Sequence, residues 1–453
     1  MKTKLKGTEL VVIASMLFGL FFGAGNLIFP IRMGQLAGAN MWGAFLGLLI
    51  TGVGLPLLGV ASIGISRSDG LIELSGKVSR GYSIFFTCAL YLTIGPFFAI
   101  PRCGAVSFTI GMQNMLGEGA YTSGVLVVFS LLFFLAVLVL SLNPGEILTW
   151  VGKVLTPLFL IFLGALVAAA LIHPMGSISE MAASGGYATS PFVTGFLEGY
   201  NTMDALASLA FGIVVITVIR DLGVKEPGAV AAHTVKAGVF SCLFMGLIYL
   251  AVAVVGAQTG ILYADCKDGG EIFARVAEHY FGKPGAILLA IMVTFACMKT
   301  AVGLVTSCAE TFTKMFPKAF SYRVWVVIFC LVSFLFANLG LDAIIAYSIP
   351  VLMFLYPLAI TLILLGLFGN LFHHSRVVYG FVTGFTLFAA IFDLLGALPA
   401  DTIALLHVQP VIDFAKAYLP LYTKGLGWVV PAAVGTVVGI VVMLLTDKRR
   451  VAA

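Results

Sequence analysis

Apolar stretches of about 20 residues, parted by short polar ones, repeat along this chain, and each is long enough to cross a bilayer as a helix. Twelve such spans lie roughly at 9–31, 40–65, 81–109, 121–142, 147–172, 192–219, 229–257, 284–312, 323–338, 341–367, 377–398 and 426–446. The runs are continuous rather than alternating, which excludes an outer-membrane β-barrel. The pattern predicts an all-α polytopic membrane protein. Between the seventh and eighth spans, residues 270–278 have helical periodicity and predict a short amphipathic helix, serving as a lid or as a packed surface loop. Residues 399–425 carry Pro399, Pro410 and Pro420 and read as a long loop. Ser68-Asp69-Gly70 predicts a turn and a helix start, and Asn143-Pro144-Gly145-Glu146 a turn between the fourth and fifth spans.

Composition sharpens this. Sixty per cent of residues are hydrophobic and 10% charged, more apolar surface than a water-soluble core absorbs. With a cytoplasmic N-terminus, the inside segments hold 17 Lys and Arg and the outside segments 5. That asymmetry places both termini inside and supports the count of twelve, because one missed span would scramble it. Arg32, Arg102 and Lys299 fall at or within the membrane. The net charge of +5 is scattered over short loops, so no nucleic-acid partner is expected. Seven cysteines imply no disulfide framework. Residues 1–6 resemble the basic start of a signal peptide, but the apolar run that follows is too long, so the first span is expected to be retained.

Two spans are interrupted. The first holds Phe21-Phe22-Gly23-Ala24-Gly25-Asn26-Leu27-Ile28-Phe29-Pro30, rich in poor helix formers. In lipid every backbone N–H and C=O needs a partner, so such a break survives only against protein or a polar cavity. The sixth holds Glu198-Gly199-Tyr200-Asn201-Thr202-Met203-Asp204-Ala205-Leu206-Ala207-Ser208, with Asn201, Asp204 and Ser208 on one helical face. A carboxylate at this depth points into a bundle or a wet cavity. The alternative puts Glu198 and Asp204 at headgroup level. The breaks lie five spans apart, an odd offset that reverses direction across the membrane. This predicts an inverted repeat of five plus five helices, 9–172 and 192–367, with 377–446 adding the last two spans. Paired half-helices mark a transporter's binding site: their N-terminal N–H groups suit a carboxylate, and their unwound carbonyls suit an ammonium or Na⁺. Gly23, Ala24, Gly25 and Asn26 in one break and Tyr200, Asn201, Thr202 and Asp204 in the other are the candidate substrate residues.

The eighth span places Lys299, Gly303, Thr306 and Glu310 on one face, with Ser307 adjoining. Hydroxyls with carbonyls form a plausible Na⁺ site; hydroxyls in membrane helices also commonly bond only locally. Lys299 pairs with a buried carboxylate, replaces a coupling ion, or snorkels, and the sequence does not choose. The third span, Gly95-Pro96-Phe97-Phe98-Ala99-Ile100-Pro101-Arg102, is expected to kink at its prolines. Arg102 is a gate, a substrate-facing group or an interfacial anchor. Pro350 and Pro357 kink the tenth span.

None of the six histidines forms an HExxH pair, and no channel filter motif appears, so neither an enzyme nor a channel is expected. The chain resembles the bacterial branched-chain amino acid:cation symporters, of the amino acid–polyamine–organocation superfamily. The resemblance rests on residues 23–30, 95–102 and 198–206 as they stand above and on Thr300-Ala301-Val302-Gly303-Leu304, and covers essentially the whole chain. It implies import of leucine, isoleucine and valine across the bacterial inner membrane by alternating access, coupled to Na⁺ or, as the alternative, H⁺. A carrier of another small substrate, such as a nucleobase, is the rival on the same fold. The resemblance further implies a substrate carboxylate on the N–H groups near Ala24 and Gly25, an ammonium on carbonyls of the two breaks, and Na⁺ at Gly19, Phe22, Gly303, Thr306 and Ser307.

Overall fold

The computed structural model describes residues 4–23, 25–113, 123–142 and 146–451. Ala24 and the turn residues 143–145 lie outside them. Among the described residues every regular element is helical, and each of the twelve expected spans coincides with helix. The protein is a multi-pass, all-α membrane protein whose first and sixth helices are discontinuous. The first span is Gly7–Phe21 followed by Gly25–Ala37. The sixth is Pro191–Asn201 followed by Asp204–Asp221, bent by 47°.

Spans one, two, six and seven pack together, and spans three, four, five, eight and nine form a second group beside them. The first group closes through glycines. A Cβ on Gly34 would fall on the carbonyl of Ala253, and one on Gly256 on the carbonyl of Ile31, so the second half of span one lies backbone to backbone on span seven. Gly47 and Gly195 stand likewise against the carbonyls of Phe192 and Ala44, joining span two to the first half of span six. Small residues drive close helix approach in lipid, where apolar burial gives no advantage between helices.

The segment before the eighth span is helical, as its periodicity predicts. Asp268 accepts from the N–H groups of Gly270 (2.7 Å) and Glu271 (3.0 Å), starting the helix Gly269–Met315, and Gly282 at φ +62 kinks the amphipathic part away from the span. The loop 399–425 departs from expectation, because it holds helices Ala400–Leu406 and Gln409–Tyr418. Pro399 sits at the N-cap of one and Pro410 in the first turn of the other, where the missing N–H has no intrahelical partner to lose. Pro350 and Pro357 lie inside one continuous helix, Leu341–Phe368.

Span seven starts on a carboxylate cap: Glu226 accepts from the N–H groups of Gly228 (2.9 Å) and Ala229 (2.6 Å). These bonds hold its carboxyl below its ordinary value of 4.5. A carboxyl depressed in the folded state stabilises above its unfolded value and stops doing so as pH falls through the folded one. Thermal stability of the protein is therefore expected to drop on acidification below about pH 4.5, less steeply in Glu226→Gln. Unfolding curves between pH 3 and 7 check this, and identical slopes for both proteins would refute it.

Candidate functional site

The two breaks meet. The first half-helix of span one stops where Phe22 turns extended (φ −70, ψ 104). Asn26 organises the gap: its Oδ1 accepts from the Gly23 N–H at 2.7 Å, substituting for a lost helical bond. Its Nδ2 donates to Asp204 Oδ2 at 2.7 Å and to the Tyr249 hydroxyl. Tyr249, from span seven, donates in turn to Asp204 Oδ2 at 2.7 Å. Spans one, six and seven thus converge on one carboxylate oxygen.

The break in span six is set by Met203, whose left-handed φ of +62 costs about 1 kcal/mol or more in a non-glycine residue. That turn lets Asp204 begin a new helix, with its acid at the positive end of the helix dipole. Thr202 Oγ1 accepts from the Asp204 N–H at 3.4 Å and donates to the Gly199 carbonyl at 2.9 Å. From span three, Arg102 donates through Nη1 to the freed Asn201 carbonyl at 2.6 Å, and its guanidinium lies over the Phe29 ring, 5.0 Å from the centroid. Span three reaches this point because it kinks at Gly95 (φ −97, ψ −125) beside Pro96.

A small cavity of about 40 Å³ opens between these groups. Its lining joins Gly23, Gly25, Asn26, Arg102, Thr202 and Asp204 with apolar residues that include Leu20, Ile94, Ala99, Cys103, Ala207, Phe211 and Leu304. Asn26, Arg102 and Asp204 are all buried. Placing charge so deep is costly and marks a functional site in a membrane protein. The cavity thus combines buried polar and charged groups with hydrocarbon side chains.

Of the candidate substrate residues, Gly23, Gly25, Asn26, Thr202 and Asp204 line the cavity. Asn201 contributes its carbonyl to Arg102, and Tyr200 stacks on Tyr356 at 4.0 Å instead of facing the cavity. Ala24 lies outside the described residues. The candidate metal residues lie at the end of the first half-helix and along the eighth span. Gly19 packs against the Lys299 ammonium, with Nζ 3.1 Å from where a Cβ would stand. Phe22 stacks on Phe18 at 5.0 Å. Gly303 faces open space, Thr306 is half-buried, and Ser307 lies beside Tyr91 of span three. The eighth-span hydroxyl nearest the first break is Thr300, whose Oγ1 lies 3.3 Å from a Cβ built on Gly23. Tyr249 and Thr300 escape sequence reasoning: a lone tyrosine in an apolar helix looks like core, and one threonine among several carries no mark.

The chain matches the family described as "Branched-chain amino acid transport protein" over residues 6–446. It is 51% identical over 449 residues to the branched-chain amino acid permease BrnQ of Lactobacillus delbrueckii subsp. lactis, covering 99% of this chain and 100% of that one. It is 41% identical to the branched-chain amino acid transport system 2 carrier protein of Pseudomonas aeruginosa, over 99% of each. Among solved structures, Mhp1, a nucleobase-cation-symport-1 family transporter, aligns with TM-score 0.62 at 15% identity, over 97% of this chain and 93% of that one. MhsT in complex with L-phenylalanine aligns with TM-score 0.50 at 15% identity, over 97% and 98%. At that identity the structures speak to fold alone, and they share the helical transporter architecture seen here. Identity across nearly its full length shows that the chain belongs to the branched-chain amino acid transport protein family.

Proposed function

We propose that this protein is a symporter that imports leucine, isoleucine and valine across the bacterial inner membrane, coupled to Na⁺ by alternating access. One observation carries the reading: two half-helices are tied through Asn26 and Asp204 beside a cavity lined by both polar and apolar groups. A small amino acid with a hydrocarbon side chain has that same division. In this reading 9–172 and 192–367 are the two inverted repeats, 377–446 is peripheral, and both termini are cytoplasmic. Na⁺ is held by carbonyls at Gly19 and Phe22 with Gly303, Thr306 and Ser307. Support comes from the end of the helix Gly7–Phe21, whose last carbonyls lack intrahelical partners and present negative charge.

Proton coupling is the second reading, and Lys299 favours it. Its ammonium rests against Gly19, one of the positions the sodium reading uses, and among the described residues it forms no ion pair.

Radiolabelled leucine uptake into vesicles with an imposed Na⁺ or pH gradient separates the two. The sodium version expects Na⁺-driven uptake, with Thr306→Ala raising the half-saturating Na⁺ concentration more than it weakens leucine binding. Uptake indifferent to Na⁺ and driven by protons would overturn it. Valine should compete with leucine and nucleobases should not; the reverse would favour the rival substrate class.

A further inference from the structure

Arg102 and Asp204 are the two charged side chains lining the cavity, and they come from different helix groups, spans three and six. Each is only 3% exposed. They nevertheless make no ion pair with one another. Opposite charges buried in low dielectric and left apart are each under-compensated, a costly arrangement unless something completes it. The surrounding bonds keep them apart. Nη1 of Arg102 is committed to the Asn201 carbonyl and its plane to Phe29. Nη2 lies at the first break, 3.4 Å from where a Cβ on Gly25 would stand, so the missing side chain leaves room beside it. On Asp204, Oδ2 takes both the Asn26 and Tyr249 bonds, and neither bond uses Oδ1.

A molecule carrying a carboxylate and an ammonium on adjacent atoms complements both groups at once. Guanidinium matches carboxylate through paired donors, and a carboxylate oxygen accepts from an ammonium. We propose that Arg102 binds the substrate's α-carboxylate and Asp204 its α-ammonium, so that the carrier recognises the amino acid zwitterion through this pair of side chains as well as through the backbone of the breaks. The proposal rests on the reading of the protein as an amino acid carrier. The side chain of the substrate then points to Ile94, Ala207, Phe211 and Leu304. An occupied site joins span three to span six through the substrate itself, and a ligand with only one charge cannot make that link.

Equilibrium binding to the purified full-length carrier in nanodiscs tests this with three ligands: leucine, leucinamide (no carboxylate) and 4-methylpentanoate (no ammonium). Wild-type protein should prefer leucine to either analogue by about 100-fold or more. In Arg102→Gln the preference over leucinamide should collapse to a few-fold while that over 4-methylpentanoate persists. In Asp204→Asn, which keeps the side-chain shape, the opposite preference should collapse. Arg102→Lys retains charge without the fork and should show intermediate discrimination, so the arginine arm does not depend on a neutral variant folding. Because each readout is a ratio within one protein, general loss of active carrier does not move it. Ratios unchanged from wild type in both the arginine and the aspartate variants would overturn the assignment. A wild-type carrier that binds none of the branched-chain amino acids would overturn the underlying reading instead.

Discussion

Asp204→Ala is expected to lower leucine uptake by at least about 100-fold and to destabilise the carrier measurably. Its carboxylate is the shared acceptor for Asn26 and Tyr249, both buried. Removing it strands two donors away from water at a cost of about 1–3 kcal/mol each. It also unties the first break from the sixth span, so the loss is in the geometry of the site as well as in its charge. Uptake at matched surface expression and thermal unfolding in detergent measure the two effects. Asp204→Asn should keep more of the stability than alanine, because its amide oxygen still accepts. Alanine uptake within about threefold of wild type would mean that the three-way contact is incidental to transport.

Gly34→Leu is expected to yield no folded carrier, and Gly256→Leu the same. Each new Cβ would land on a backbone carbonyl, Ala253 in one case and Ile31 in the other. Overpacking against side chains typically costs about 1–3 kcal/mol because they can swing aside; backbone cannot, so the helices must separate. A useful comparison is Gly380→Ala, where nothing stands within 4 Å of the added carbon. There the substitution should be neutral or stabilising by roughly 0.5–1 kcal/mol, since glycine weakens a helix interior. Membrane yield and size-exclusion profiles of tagged variants decide between these outcomes. A monodisperse Gly34→Leu carrier would show that the seam is not closed in the functional state.

Much of this architecture is legible in the residues because membrane helices are specified locally. Length and hydropathy give the spans, and glycine, asparagine and proline flag the breaks. What is not legible is pairing across distance. Asn26 and Asp204 are separated by 178 positions, and nothing in either segment says that they share a hydrogen bond. Tyr249 looks like any buried aromatic until the fold points its hydroxyl at a carboxylate. Thr300 looks like one threonine among several until the fold sets it against Gly23. Arg102 reads equally well as anchor, gate or ligand group, and only its burial and its bond to Asn201 place it at the cavity. The loop helices near Gln409–Tyr418 are hidden because proline signals irregularity in general but is well tolerated in a first turn.

The glycine seams also determine which wall of the pocket is available for redesign. Backbone contacts through Gly34, Gly256, Gly47 and Gly195 fix spans one, two, six and seven at distances no substitution can shorten or comfortably lengthen. The polar groups that spans one and six bring to the cavity inherit that fixity, while Arg102 reaches it from span three. Spans three and eight have no glycine seam onto this bundle at the cavity, where Arg102 of span three bonds the Asn201 carbonyl, and they present Ile94, Ala99, Cys103 and Leu304 to it. Altering the chemical palette of the carrier is therefore a problem in four side chains on two helices. Trimming Ile94 or Leu304 is expected to admit bulkier cargo, and enlarging Ala99 or Cys103 to restrict the carrier to the shortest, with Asn26, Arg102 and Asp204 left in place.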